Sequence, residues 1–112
     1  MPDRAQIVRD AYTAYETGDR ELLEGVLADE IAFFAPPDPG LDREAYFERC
    51  WPNHETIEKF EVVRLTDIGG DEFLITYESL KTDGRRFRNT EILGFDPDDK
   101  ICRQEVYFGW DL

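Results

Sequence analysis

Three observations predict an α+β fold. Apolar residues recur at helical spacing in the first fifty positions, four strand-like segments run from Ile57 to Phe108, and an Asp-Gly pair separates the middle two. The order is helix, helix, strand, helix, then a four-strand antiparallel meander. Helices in that order pack on one face of a curved sheet.

The first helix is expected near 3–17, where Val8, Ala11, Tyr12 and Tyr15 form a stripe that Ile7 and Ala14 widen. Gly18 stops it, and Asp19 caps a second helix over 20–28 that buries Leu22, Leu23, Val26 and Leu27. A short apolar strand, Ile31 to Ala35, ends at Pro36-Pro37-Asp38-Pro39-Gly40, a stiff loop. Asp42 caps a third helix, about 43–50, which presents Tyr46, Phe47 and Cys50. Trp51 and Pro52 mark its exit. The strand-like segments are Ile57 to Thr66, Glu72 to Lys81, Arg85 to Phe95 and Ile101 to Phe108.

The chain's 112 residues fit one domain over 1–112, and 41% hydrophobic content is enough to fold it despite its charge. That charge is −13, from 26 acidic and 13 basic residues, which argues against nucleic acid and anionic membrane as partners. No apolar run reaches the length of a membrane span. Met1-Pro2-Asp3-Arg4 opens an amphipathic stretch with no signal-peptide core, so a cytoplasmic location is expected.

Cys50 and Cys102 lie among apolar neighbours and read as buried thiols. With His54 the one histidine, and no calcium-loop pattern in Asp96-Pro97-Asp98-Asp99, no metal is expected. Gly69-Gly70 and Asp83-Gly84 are turns without a phosphate loop's lysine, so no cofactor is expected either.

A two-residue turn at Asp83-Gly84 would pair Leu80 with Phe87, Glu78 with Asn89, Thr76 with Glu91 and Leu74 with Leu93. One sheet face would then carry a polar middle between apolar ends. The other would carry Phe73, Ile75, Tyr77 and Ser79 against Gly94, Ile92, Thr90 and Arg88. Two readings stand at this point. Either the polar middle lines a cavity under the helices and a second subunit covers the other face, or the register slips by one residue and the carboxylates face water.

The order of elements resembles the nuclear transport factor 2-like superfamily, especially its SnoaL-like and ketosteroid-isomerase-like branch. The resemblance is carried by Glu16-Thr17-Gly18-Asp19, Leu27-Ala28-Asp29-Glu30-Ile31, the run from Gly94 to Ile101, and Glu105-Val106-Tyr107-Phe108-Gly109. It implies a cone, in which a strongly curved antiparallel sheet wraps a long N-terminal helix, with two further short helices. It also implies a pocket between helix and sheet, and a homodimer through the outer sheet face. On that basis Thr76, Glu78, Asn89 and Glu91 are expected to face the pocket.

Function transfers less readily, because one fold hosts many chemistries. Ketosteroid isomerase uses an Asp base with a Tyr and a protonated Asp as oxyanion hole, a worked case in enzymology. By position the base falls at Ala35, the tyrosine at Ala11 beside Tyr12, and the protonated acid at Glu91. Two of three roles are missing, which argues against steroid isomerisation by that machinery.

Glu91 is the leading candidate, since burial in an apolar cone raises a carboxyl's pKa toward neutrality. Glu78, read as its diagonal neighbour, would complete an acid–base pair. Alternation along the last strand turns Cys102, Gln104, Val106 and Phe108 inward. Tyr12 and Tyr15 on the first helix, Phe33 on the first strand, Trp51 at the pocket edge, His54, Thr76 and Asn89 complete the expected binding set. Asp38 could replace the missing base if its loop folded inward, although a turn role suits it better.

The leading functional expectation is a cofactor-independent isomerase, cyclase or dehydratase acting on a small apolar molecule. The alternatives are a non-catalytic ligand-binding or dimerisation module and, behind it, a protein-interaction domain.

Overall fold

A computed structural model describes residues 3–112, the side chain of Pro39 excepted. Met1 and Pro2, which open the amphipathic stretch, lie outside the described residues. Helix α1 spans Arg4–Thr17 and α2 spans Arg20–Val26. Strands β1 (Leu27–Ala35) and β2 (Asp38–Leu41) follow, then α3 (Arg43–Arg49) and a short 3₁₀ helix, Trp51–Thr56. The remaining strands are β3 (Ile57–Gly69), β4 (Glu72–Lys81), β5 (Arg86–Phe95) and β6 (Ile101–Asp111).

Local chemistry sets the helix ends. Asp3 accepts hydrogen bonds from the amides of Ala5 and Gln6, Asp19 from Leu22 and Asp42 from Ala45, which satisfies donors that each helix start leaves open. Gly18, at φ 73°, closes α1 in the left-handed region, with the His54 ring against its α-carbon.

The six strands form one curved, unclosed sheet in the order β2-β1-β6-β5-β4-β3. The predicted meander is β3 to β6. Beyond it, β1 pairs in parallel with β6, Phe33 opposite Gln104, and β2 adds an edge that the proline-rich segment had concealed. Bulges interrupt β3 at three places and the β5–β6 ladder at two. Each bulge bends its strand and increases the local twist, which curls the sheet around α1.

The small residues Ala11 and Ala14 bring α1 close to the sheet, and Val8 and Ala14 are completely buried. Ile75, Leu93 and Ile101 are likewise inaccessible on the inner sheet face. Each such aliphatic side chain contributes about 1.5–3 kcal/mol on burial. Arg4 fastens the start of α1 to the far turns, with its guanidinium 2.7 Å from Asp99 and 2.9 Å from Asp71. Cys50 and Cys102 are free and half-buried rather than buried. No helix of the described residues is long and apolar enough to cross a membrane.

The β4–β5 register differs from expectation by one residue. The Lys81 amide donates to the Arg85 carbonyl at 2.8 Å, and Gly84 donates to Lys81 at 2.9 Å. The loop is therefore Thr82-Asp83-Gly84, three residues long, with Gly84 at φ 90° supplying the bulge that such loops require. Lys81 pairs with Arg85, so Ile75 faces Glu91, Tyr77 faces Asn89 and Ser79 faces Phe87. Thr76 and Glu78 consequently lie on the outer face.

Candidate functional site

The one-residue shift leaves the inner positions of β5 as expected and replaces those of β4. Asn89 and Glu91 point toward α1, and their neighbours on β4 are Tyr77 and Ile75. Glu91 is only 4% exposed. A carboxyl so placed needs partners, and it has three. Tyr12 of α1 donates to Oε1 at 2.6 Å, Gln104 of β6 donates to the same oxygen at 2.6 Å, and Tyr77 donates to Oε2 at 2.5 Å. A more distant contact runs from the Asn89 amide to the Tyr77 hydroxyl at 3.4 Å, and the Asn89 carbonyl accepts the Gly109 N–H at 3.1 Å. The cluster thus joins α1, β4, β5 and β6.

Burial pushes the Glu91 carboxyl above its ordinary range, and the donors Tyr12, Tyr77 and Gln104 pull it partly back. Burial first, and the Glu91 charge second, push both tyrosine hydroxyls well above the usual phenol range. The tyrosines therefore keep their protons, and the carboxyl is the group in the cluster whose proton is most readily exchanged.

A cavity of about 590 Å³ opens beside this cluster. Tyr12, Tyr77, Gln104 and Asn89 line it, whereas Glu91 stands behind them. A ligand would meet phenol hydroxyls and amides, with the carboxyl one hydrogen bond further back. When Glu91 is ionised, each tyrosine proton is committed to it, and the tyrosines offer only acceptor lone pairs to the cavity. When Glu91 is protonated, it can donate to one tyrosine oxygen and release that tyrosine's own proton inward. The protonation state of a hidden group therefore sets the polarity of the cavity floor.

Other expected residues fall as follows. Tyr15 and Phe33 line the cavity, but the Tyr15 hydroxyl donates to the Cys50 carbonyl at 2.9 Å. Burial raises that hydroxyl far above the usual phenol range and pushes the nearby Cys50 thiol up to about 11. Phe108 lines the cavity at its mouth and is 61% exposed. Val106 lies opposite Glu91 on the inner face and packs against the core, outside the cavity wall. A shift in the β5–β6 ladder between Gly94 and Phe95 takes Cys102 out of the inward alternation.

Trp51 is buried against Tyr15, Phe47 and His54, a core position rather than a lid. The His54 ring lies 4.4 Å from that of Trp51, away from the cavity lining. Thr76 is buried on the outer face, its hydroxyl 2.9 Å from that of Thr90. Glu78 is held on the outer face by Arg86 at 2.9 Å and Arg88 at 2.5 Å, which keep its carboxyl below the ordinary range. It cannot share a proton with Glu91, because the sheet separates them. Asp38 sits on β2, ion-paired with Arg49 at 2.8 Å and outside the cavity lining.

Tyr77 is the residue of the candidate site that the sequence reading put on the wrong face. Two signals could have found it. Phe73, Ile75 and Tyr77 are the more apolar alternation on β4, which the helices should cover. Lys81-Thr82-Asp83-Gly84 also fits a type I turn whose glycine supplies the bulge of a three-residue loop.

The architecture is that of NTF2-like, SnoaL-like and ketosteroid isomerase-like proteins. A protein from Kribbella flavida superimposes with TM-score 0.83 at 16% identity, over 94% of this chain and 85% of that one. A SnoaL-like protein of unknown function from Burkholderia thailandensis gives TM-score 0.73 at 20% identity, over 96% and 95%. The epoxide hydrolase/cyclase-like enzyme SalBIII, described in pyran ring formation in the polyether salinomycin, gives 0.77 at 16% identity, over 95% and 90%. No family model matches the chain, and no curated protein matches it. At these identities the likeness defines the fold, and several of the neighbours are themselves of unknown function.

Proposed function

We propose that the cavity binds a small, largely apolar molecule and that the chain carries out cofactor-independent acid–base chemistry on it, of the isomerase, cyclase or lyase kind. One observation carries this reading. A buried carboxyl with a raised pKa is wired through two tyrosine hydroxyls and a glutamine to the floor of a cavity rich in aromatic side chains. Glu91 is the proton store, and Tyr12 and Tyr77 are the groups that meet the substrate. The reading includes a cytoplasmic location, supported by two free thiols. It also includes a homodimer through the outer sheet face, supported by the half-buried Leu74 and Ile92 and the exposed Tyr107 there.

A binding module without catalysis is the second reading. It is favoured by the absence of any ionisable base among the described residues of the cavity floor, and by alanine at position 35. The two readings separate in one experiment. A metabolite panel is screened by thermal shift, and hits are followed for turnover with wild-type protein and Glu91→Gln. The catalytic reading expects turnover that falls about a hundredfold or more in the variant while binding persists. Stable binding with no turnover in wild-type protein leaves the binding module.

A further inference from the structure

The proposed reading leaves open what else the ligand carries besides an apolar body, and the cavity's one cation bears on this. Among the described residues that line it, only Lys81 and Asp111 are charged. Lys81 ends β4 on the inner face, two positions beyond Ser79 and four beyond Tyr77. It is half-buried, and its ammonium lies 5.5 Å from the centroid of Phe87, another lining residue. Among the described residues it makes no ion pair, with Asp111 or any other carboxylate. Asp83, its nearest acidic neighbour in sequence, is engaged by Arg85 at 2.8 Å.

Arg9, Arg43, Lys59, Arg64 and Lys100 likewise make no ion pair among the described residues, but Lys81 differs from all of them in lining the cavity. The chain's net charge repels anions; at this end of the cavity Lys81 supplies a cation beside the Phe87 ring, with Asp111, opposite Phe87 on β6, making no ion pair to it among the described residues. Lys81 lies four positions along β4 from Tyr77, about 13 Å. The lysine's flexible stem reaches back along part of that distance.

We infer that the cavity takes an elongated amphipathic anion: an aromatic or alicyclic body with a hydroxyl or carbonyl oxygen at the Tyr12–Tyr77 end and a carboxylate held by Lys81 at the mouth. The inference rests on the pocket reading above and adds the charge of the ligand. Lys81 is the residue that selects for it, and Phe87 and Trp110 flank the body at the open end.

Two probes of one skeleton test it by calorimetry on the full chain. 6-Hydroxy-2-naphthoate and 2-naphthol share ring and hydroxyl and differ in the carboxylate. Wild-type protein is expected to bind the acid about tenfold more tightly, the size of one hydrogen-bonded charge pair. Lys81→Met should leave 2-naphthol unchanged and bring the two probes within about twofold, while Lys81→Arg keeps the preference. The preference in wild-type protein should also shrink as salt is raised, a measurement that needs no variant. Equal or weaker binding of the acid by wild-type protein overturns the inference and leaves the apolar pocket standing. So does a Lys81→Met variant that loses both probes alike. If neither probe binds, the pocket reading falls and the inference with it.

Discussion

The Tyr12 hydroxyl and the Glu91 carboxylate meet at 2.6 Å although 79 positions separate them in the chain. The bond ties the axis of α1 to the middle of β5, and the 2.5 Å bond from Tyr77 closes the carboxyl from the other side. Hydrogen bonds to an ionised group are the strong ones. They also hold in place the tyrosines that the cavity exposes.

Glu91 makes stability depend on pH in a direction that its substitution removes. Its carboxyl sits above the ordinary 4.5 in the folded chain, so the folded state binds that proton more tightly than the unfolded state does. The contribution is complete below the unfolded value and is lost as pH rises through the folded one. Glu91→Gln cannot titrate. Relative to wild type it should gain stability as pH rises from about 4.5, by at most about 1.4 kcal/mol per pH unit. Urea denaturation of both proteins over a series of pH values from about 4 upward reads this difference. Glu78, Asp83 and Glu105, whose carboxyls are lowered by arginine neighbours and hydrogen bonds, act in the opposite direction, equally in both proteins, and cancel. A difference that stays flat with pH would contradict the raised carboxyl.

Tyr12→Phe and Tyr77→Phe each remove one donor from a buried acceptor. Each should cost about 2 kcal/mol near neutral pH. The double variant should cost less than the sum, because a carboxyl stripped of both donors takes up a proton instead of staying charged. A double-mutant cycle from denaturation midpoints measures the coupling. Strict additivity would mean that the two tyrosines do not act on one shared charge.

Gly109 has no room for a side chain. A Cβ there would overlap the carbonyl oxygen of Arg88, which is backbone at the register shift between Phe87 and Asn89 and, unlike a side chain, cannot swing aside. Gly109→Ala should therefore cost about 2 kcal/mol or more. It should also break the Asn89–Gly109 bond at the cavity wall, seen as faster amide exchange from Phe108 to Asp111. An unchanged exchange pattern would refute the overlap.

Glu78 serves as the internal control. It shares residue type and near-neighbour spacing with the catalytic candidate but lies across the sheet from the cavity. Glu78→Gln should leave ligand affinity and any turnover unaltered, measured beside Glu91→Gln under the same conditions. A loss comparable with that of the Glu91 variant would put Glu78 back in the site.

Helix positions were readable because each depends on neighbours within a turn or two. Asp19 and Asp42 cap where the sequence places them, and the α1 stripe buries as its spacing requires. Glu91 turns inward on the family resemblance, since the residues alone leave two facings open, and the structure has it on the inner face. Glu78 and Tyr77 exchanged faces because the phase of β4 depends on the length of one turn, and one residue there inverts every side chain on the strand. Pairings set by distant parts of the chain had no local signal. The parallel ladder between β1 and β6 is one, and β2, assembled from a segment with prolines at 36, 37 and 39, is another.

The place of β6 between β5 and β1 has a consequence for how the protein is made. On the ribosome, β1 emerges before β3, β4 and β5, but its parallel neighbour β6 only after them. Until then the β1–β2 hairpin has one open edge, and α1 has no complete wall to lie against. Contacts between such distant segments slow folding, because the chain must close a long loop before any of them forms. The nascent chain therefore carries an apolar strand with one open edge until β6 is released, a state exposed to wrong pairing.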